Sequence, residues 1–223
     1  MEEVKLLGAL PSPFTYRVVW VLKLKGINYT NIQQDLSNKS ELLLKSNPIN
    51  KKVPVLIHGE KTIPESSVIL EYIEDTWPEK RLLPKEPYQK AVARFWIKFL
   101  EDKIVCLNNF FLKIGEEQEK AVTESLEMLQ TIEEHSGISE KKFFGGEEIG
   151  LVDLIYGIIA HWLPAIEEVI GVKFFESQKF PHLYAWTENF KKDPFIKENL
   201  PDFKTVVAVM KARREAVLAT MSP

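Results

Sequence analysis

Three prolines, Pro78, Pro84 and Pro87, fall close together in the segment "WPEKRLLPKEPY". Proline lacks the amide hydrogen that a helix interior or a central strand needs, so no regular element runs through this stretch. The chain therefore divides here. Residues 1–77 read as one domain, 78–87 as a linker and 88–223 as a second domain.

Before the break, strand and helix patterns alternate. The apolar run "VKLLGAL" reads as a buried strand. Phe14 to Lys25 reads as a helix with Val18, Val19 and Leu22 inward and Gly26 as its stop. "INYTNIQ" alternates as a strand does, and "SELLLKSN" is a short helix ended by Asn47-Pro48. "VPVLIH" and "KTI" form a hairpin around Gly59-Glu60, and "SSVILEYIEDT" is the closing helix. That order predicts a small sheet covered by helices, with a right-handed crossover in its first half. After the break, helical patterns run through "YQKAVARFWIKFLEDKIVCLNNFFLKI", "EKAVTESLEMLQTIEEHS", "LVDLIYGIIAHWLPAIEEVI", "HLYAWTENFKKD" and "FKTVVAVMKARREAVLAT". These predict five or six helices and no strand.

The balance of residues narrows the function. A net charge of -3 and a pI near 5.9 give no basic field for nucleic acid or an anionic membrane. No apolar stretch approaches the roughly 20 residues of a membrane span, and the run in "MEEVKLLGAL" is too short for a secretion signal. The single cysteine, Cys106, excludes an intrachain disulfide and suits a reducing compartment. A cytoplasmic protein is expected. His58, His135, His161 and His182 are scattered without ligand spacing, so no metal site is expected.

Two short segments carry chemistry. In "PSPFTYR" two prolines bracket Ser12 where the first strand gives way to the first helix. Such a serine is either a turn residue or a hydroxyl aimed at a ligand. In "VPVL", a cis Val53–Pro54 bond would present the Val53 backbone to an extended peptide. Local statistics favour trans, since only about 5–6% of such bonds are cis in folded proteins. Ser66 and Ser67 read from spacing as ordinary helix caps, and Lys39 and Lys52 as surface lysines.

The whole chain resembles a cytosolic glutathione transferase: an α/β thioredoxin-like N-terminal domain, a linker and an all-helical C-terminal domain. "PSPFTYR", "NPINKKVPVLIHGEKTIPESSVILEYIEDTWPEKRLLPKEPY" and "ARFWIKFLEDKI" resemble the plant tau class in particular, in order and in spacing. Leu10 stands where a tryptophan is common, Asn50 where histidine is expected, and Pro64 precedes the glutamate-serine pair.

The resemblance implies a function. The enzyme would join the glutathione thiolate to hydrophobic electrophiles, with some reduction of hydroperoxides. Glutathione is a cosubstrate here, and no other cofactor is implied. Ser12 becomes the catalytic hydroxyl, donating to the sulfur. Glu65 would receive the γ-glutamyl ammonium and Ser66 the γ-glutamyl carboxylate, helped by the helix dipole. Lys39 and Lys52 would reach the glycyl carboxylate, and Val53 would pair with the cysteinyl backbone next to a cis Pro54. Arg17 either adds positive potential or makes an ion pair. Pro13, Phe14, Leu36, Val105, Asn109, Trp162 and Val209 would line a hydrophobic site between the domains. A homodimer is implied, with Arg94 and Glu74 as charged contacts, and Asp153 in "GLVDLIYG" is implied as a helix cap. Because Gly150 stands where a serine or threonine would complete that capping box, the cap must lean on backbone. The alternative is a carrier of apolar small molecules built from the same residues. A thiol–disulfide enzyme of this fold would need cysteine in place of Ser12.

Overall fold

Leu6 and Leu7 are neighbours in the first strand, β1 (Val4–Gly8), and both are fully buried. Successive strand residues face opposite sides, so β1 must be covered on both faces. The computed structural model, which describes residues 2–220, shows how. The chain forms two units, one ending at Leu83 and the other beginning at Pro84.

The first unit holds a four-stranded sheet in the order β2-β1-β3-β4. Its remaining elements are α1 (Pro13–Leu24), β2 (Thr30–Gln33), α2 (Glu41–Ser46), β3 (Val55–His58), β4 (Lys61–Pro64) and α3 (Ser66–Thr76). β1 runs parallel to β2 and antiparallel to β3, which pairs antiparallel with β4. Leu7 pairs with Val55, and both pack on Leu43 of α2. Leu6 and Leu56 face the other side of the sheet, where α1 and α3 pack on each other.

α1 buries Val18, Val19 and Leu22 as expected, and Thr15, Arg17, Trp20 and Val21 besides. It stops at Gly26, whose φ of +66° favours glycine. There the amide of Gly26 donates to Lys23 O and that of Ile27 to Leu22 O, satisfying two terminal carbonyls. That tie draws Ile27 into the helix end, and β2 is shorter than its alternation suggests.

The second unit is helical. It contains α4 (Pro87–Leu112), α5 (Glu116–His135), α6 (Leu151–Gly157), α7 (Leu163–Ile170), α8 (Pro181–Lys192), α9 (Pro194–Asn199) and α10 (Phe203–Ala219). α6 and α7 are continuous through one π-type turn at Ile158–Trp162. Pro164 follows that turn and cannot donate within it, which favours a locally wider helix. In this turn His161 shares a 3.0 Å hydrogen bond between Nε2 and Pro201 O. Burial pulls its imidazole down to about 4, so Nε2 carries the donating hydrogen near neutral pH.

Buried carboxylates hold the loops of both units by one device, accepting from two consecutive amides. Glu133 accepts from His182 and Leu183, and Glu167 from Phe174 and Phe175. Asp153 accepts from Phe144, Gly145 and Gly150 amides and from the Trp186 indole. The cap expected from "GLVDLIYG" is thus there, and it rests on backbone. Glu74 corrects an expectation. It is not a surface contact: it is 2% exposed, accepts from the Leu82 and Leu83 amides and pairs with Lys25 at 2.8 Å. The Lys25 ammonium also donates to Trp77 O and Lys80 O, fastening the proline-rich segment to the end of α1.

Candidate active site

The turn from β1 into α1 is tightly determined. A Cβ at Gly8 would lie 2.4 Å from Thr15 Cγ2, so only glycine fits beside that threonine. Thr15 Oγ1 accepts from the Ala9 amide, and the Ser12 amide donates to Ala9 O. Both the Leu10–Pro11 and Val53–Pro54 bonds are cis. Ser12 is the N-cap of α1 with Pro13 as its first residue, and its carbonyl accepts from Thr15 and Tyr16. Its side chain makes no capping bond. The hydroxyl therefore stands half-exposed at the positive end of a 12-residue helix without serving that helix.

Ser66 lies at the start of α3, 5% exposed, and its hydroxyl accepts from Arg17 Nη2. Arg17 is itself 4% exposed, and its guanidinium lies 5.0 Å from the centre of the Phe14 ring. Phe14, Arg17 and Ser66 are thus connected where α1 and α3 meet, and Ser12 stands at the N-terminus of the same α1. Neither Ser66 nor Ser67 caps its helix. The N-cap is Glu65, at φ +68°, with an exposed carboxylate that takes no part in capping. Its Oε1 accepts from Asn50 Nδ2 at 2.6 Å.

The lysine-bearing loops are built around two buried amides. Asn47, 2% exposed, donates to Lys52 O and accepts from the Asn50 amide, which shapes the approach to Val53. Val53 is half-buried and lies outside the pairing of β3, which begins at Val55. Gln34 is buried, donates to Ile32 O and accepts from Ser40 Oγ, anchoring the loop that carries Leu36 and Lys39. Lys39 and Lys52 point to solvent. Asn47 and Gln34 carry no site signal in the sequence, and Asn50 stands out there only as a departure from an expected histidine. The Asn47-Pro48 pair reads there only as a helix stop.

The apolar candidates divide. Pro13 and Phe14 are half-buried on α1, and Leu36 is exposed in its loop. On the helical unit Val105 is 56% and Val209 46% exposed, with Asn109 intermediate. Trp162 corrects its expectation. At 2% exposure, edge-on to His161, it belongs to the core of the helical unit and has almost no surface to offer a ligand.

Comparison with known proteins fits this geometry. Residues 2–75 match the family described as glutathione S-transferase, N-terminal domain, and residues 95–194 the glutathione S-transferase, C-terminal domain. A probable glutathione S-transferase of Glycine max is 49% identical over 98% of this chain and 97% of its own. Glutathione S-transferase U8 of Arabidopsis thaliana is 48% identical, covering 95% of each chain. The crystal structure of a tau class glutathione S-transferase from mango superposes with a TM-score of 0.86 at 40% identity, covering 94% of this chain and 98% of that one. A rice enzyme crystallised with glutathione also gives 0.86, at 31% identity, covering 96% and 99%. The fold and these matches define a two-domain glutathione transferase. The chain belongs to the glutathione S-transferase family, in its tau class.

Proposed function

We propose that this protein joins the thiolate of glutathione to hydrophobic electrophiles, with Ser12 as the catalytic hydroxyl. The observation that carries the reading is the Ser12 side chain, set at the helix N-terminus yet unused by the cap. A free thiol of pKa ~8.5 is only about 3% thiolate at neutral pH. A donated hydrogen bond that lowers this by roughly two units makes it about three-quarters thiolate, a differential stabilisation of ~2.7 kcal/mol. The thiolate then attacks the electrophilic carbon, and serine stays intact.

The remaining residues hold the peptide. Glu65 receives the γ-glutamyl ammonium. Because Ser66 Oγ accepts from Arg17, its own hydrogen is left to donate to the γ-glutamyl carboxylate. This gives Arg17 a role through Ser66. Lys39 and Lys52 meet the glycyl carboxylate, and Val53 pairs by its main chain with the cysteinyl unit. For the electrophile, Pro13, Phe14 and Leu36 offer apolar contact on the first unit, and Val105 and Val209 offer it on the helical unit, where Asn109 adds a polar amide.

Turnover of 1-chloro-2,4-dinitrobenzene with glutathione, measured beside the affinity for apolar ligands, tests the reading; binding without turnover would favour the carrier. Glu65→Ala and Ser66→Ala are each expected to raise the KM for glutathione about tenfold, or ~1.4 kcal/mol, with kcat at saturation near wild type. Their contacts are remote from sulfur and equal in ground and transition states. If neither variant needs more glutathione, these positions only shape the start of α3.

The same reading carries a homodimer and a cytoplasmic location. The dimer is supported by Tyr88, Val92 and Phe95, apolar and exposed at helical spacing on α4 beside exposed Arg94. Light scattering giving a monomer mass in dilute solution would overturn it. The location is supported by the lone, buried Cys106, whose thiol burial pushes up. Among the described residues, no helix is long and apolar enough to cross a membrane.

A further inference from the structure

The last helix, α10, packs mainly on α7 and more lightly on α4. Of its 17 residues only Val206 is buried. At its start, Asp202 caps the helix and His161 packs edge-on against Phe203. Toward its end two arginines meet one residue of α4. Arg214 Nη1 donates to Phe111 O, and the Arg213 guanidinium stands 5.7 Å over the Phe111 ring. Phe111 is itself 2% exposed, so both arginines grip a fixed point of the core.

The carbonyl matters as much as the ring. A helix leaves its last carbonyls without internal donors, and its C-terminus carries partial negative charge. α4 has no basic residue in its own last turn. Asn109 O is taken by the C-cap amide of Lys113, and the next two carbonyls by outside donors: Phe110 O by Gln118 Nε2 and Phe111 O by Arg214. Arg214 is thus both a cap and a cationic complement to α4, supplied from a helix more than 100 residues away.

α4 and α10 are also the helices that carry Val105, Asn109 and Val209. We propose that Arg214, aided by Arg213, latches α10 to the end of α4 and is a specificity-determining positioning residue for the hydrophobic cosubstrate. It does so by fixing how far Val209 can stand from Val105 and Asn109. This rests on the reading of those three side chains as contacts for the electrophile. Latched, the gap suits small planar electrophiles. Released, α10 yields to bulkier ones.

The test compares wild type, Arg214→Ala, Arg214→Lys and Arg213→Ala. Addition of glutathione to benzyl and to biphenylmethyl isothiocyanate is measured over background, beside amide hydrogen exchange of α10. In Arg214→Ala, exchange over residues 211–219 should quicken at least tenfold. The ratio of kcat/KM for the benzyl to the biphenylmethyl substrate should fall at least threefold, with the KM for glutathione within twofold of wild type. Lysine still donates to a carbonyl and keeps the charge, so Arg214→Lys should restore both readouts. Arg213→Ala should move them in the same direction by less, and it carries the test if Arg214→Ala fails to fold. Unchanged exchange sinks the latch, and quickened exchange with an unchanged ratio sinks the role in specificity. Wild type inactive on both isothiocyanates would instead sink the catalytic reading. Exchange would then still decide the latch, and the affinity of the apolar probe 1-anilinonaphthalene-8-sulfonate, raised or lowered at least threefold in Arg214→Ala, would decide the pocket.

Discussion

Asp153→Ala is expected to destabilise the helical unit by about 4 kcal/mol or more, because it strands four donors at once. The carboxylate is fully buried and accepts at 2.8 Å from Phe144, 3.2 Å from Gly145, 2.8 Å from Gly150 and 2.8 Å from the Trp186 indole. Each stranded N–H costs roughly 1–3 kcal/mol, and backbone relaxation recovers only part. Relaxation is restricted here. A Cβ at Gly145 would lie 2.7 Å from Glu148 O, and Gly146 has a φ of +106°. The loop is also closed by a pair of 2.9 Å bonds between Phe143 and Gly146. Asp153→Asn keeps one accepting oxygen but turns an NH2 toward existing donors, so it should fall between alanine and wild type. Unfolding by urea, followed by tryptophan fluorescence and far-ultraviolet circular dichroism, reads the loss. A change below about 1 kcal/mol would mean that water or a moved loop replaces the carboxylate, and that Asp153 does not organise this unit.

Much of this architecture is legible in the sequence because it follows from period and punctuation. Val18, Val19 and Leu22 mark one face of α1, and Gly26 marks its end, since both are local properties of the chain. α9 escaped because six residues between Pro194 and Pro201 are too few to show a helical period. The π-type turn escaped because "LVDLIYGIIAHWLPAIEEVI" is apolar on nearly every side, so its periodicity hides a change of pitch. Glu74 was misjudged for a related reason. A glutamate on a helix reads as solvated unless the lysine, at position 25, and the two loop amides that bury it can be foreseen.

The candidate site was legible in a different way. Ser12, Val53, Glu65 and Ser66 stand out by likeness to a family, whereas local signals favour a turn at Ser12, a trans proline opening a strand after Val53 and a cap at Ser66. The structure supplies physical content that neither source held. Arg17 reaches Ser66 across 49 positions, and Asn47 holds the carbonyl of Lys52 from inside a loop. Such contacts join residues that no window along the chain brings together. They depend on β1, β3 and the two helix ends having first been placed side by side.

Ser12→Ala should lower conjugation by one to three orders of magnitude near neutral pH, the ~1.4–4 kcal/mol of one lost donor to developing or standing negative charge. The variant is unusually clean. Alanine at a helix N-cap ordinarily costs about 0.5–2 kcal/mol of stability because a capping bond is lost. The Ser12 side chain makes no such bond, and the carbonyl that holds Thr15 and Tyr16 is untouched by the substitution. Stability should therefore change little, and the KM for glutathione should stay near wild type because the peptide is held elsewhere. The pH profile then separates mechanism from damage. If the serine stabilises the thiolate, kcat/KM for the electrophile at saturating glutathione should rise in wild type with a midpoint near ~6.5. In Ser12→Ala that midpoint should move up toward the free-thiol value of ~8.5, so the deficit shrinks as pH rises and the thiol ionises unaided. A variant that is merely misfolded would lose rate equally at every pH. Wild-type turnover in Ser12→Ala, or an unshifted midpoint with reduced rate, would show that this hydroxyl does not face the sulfur.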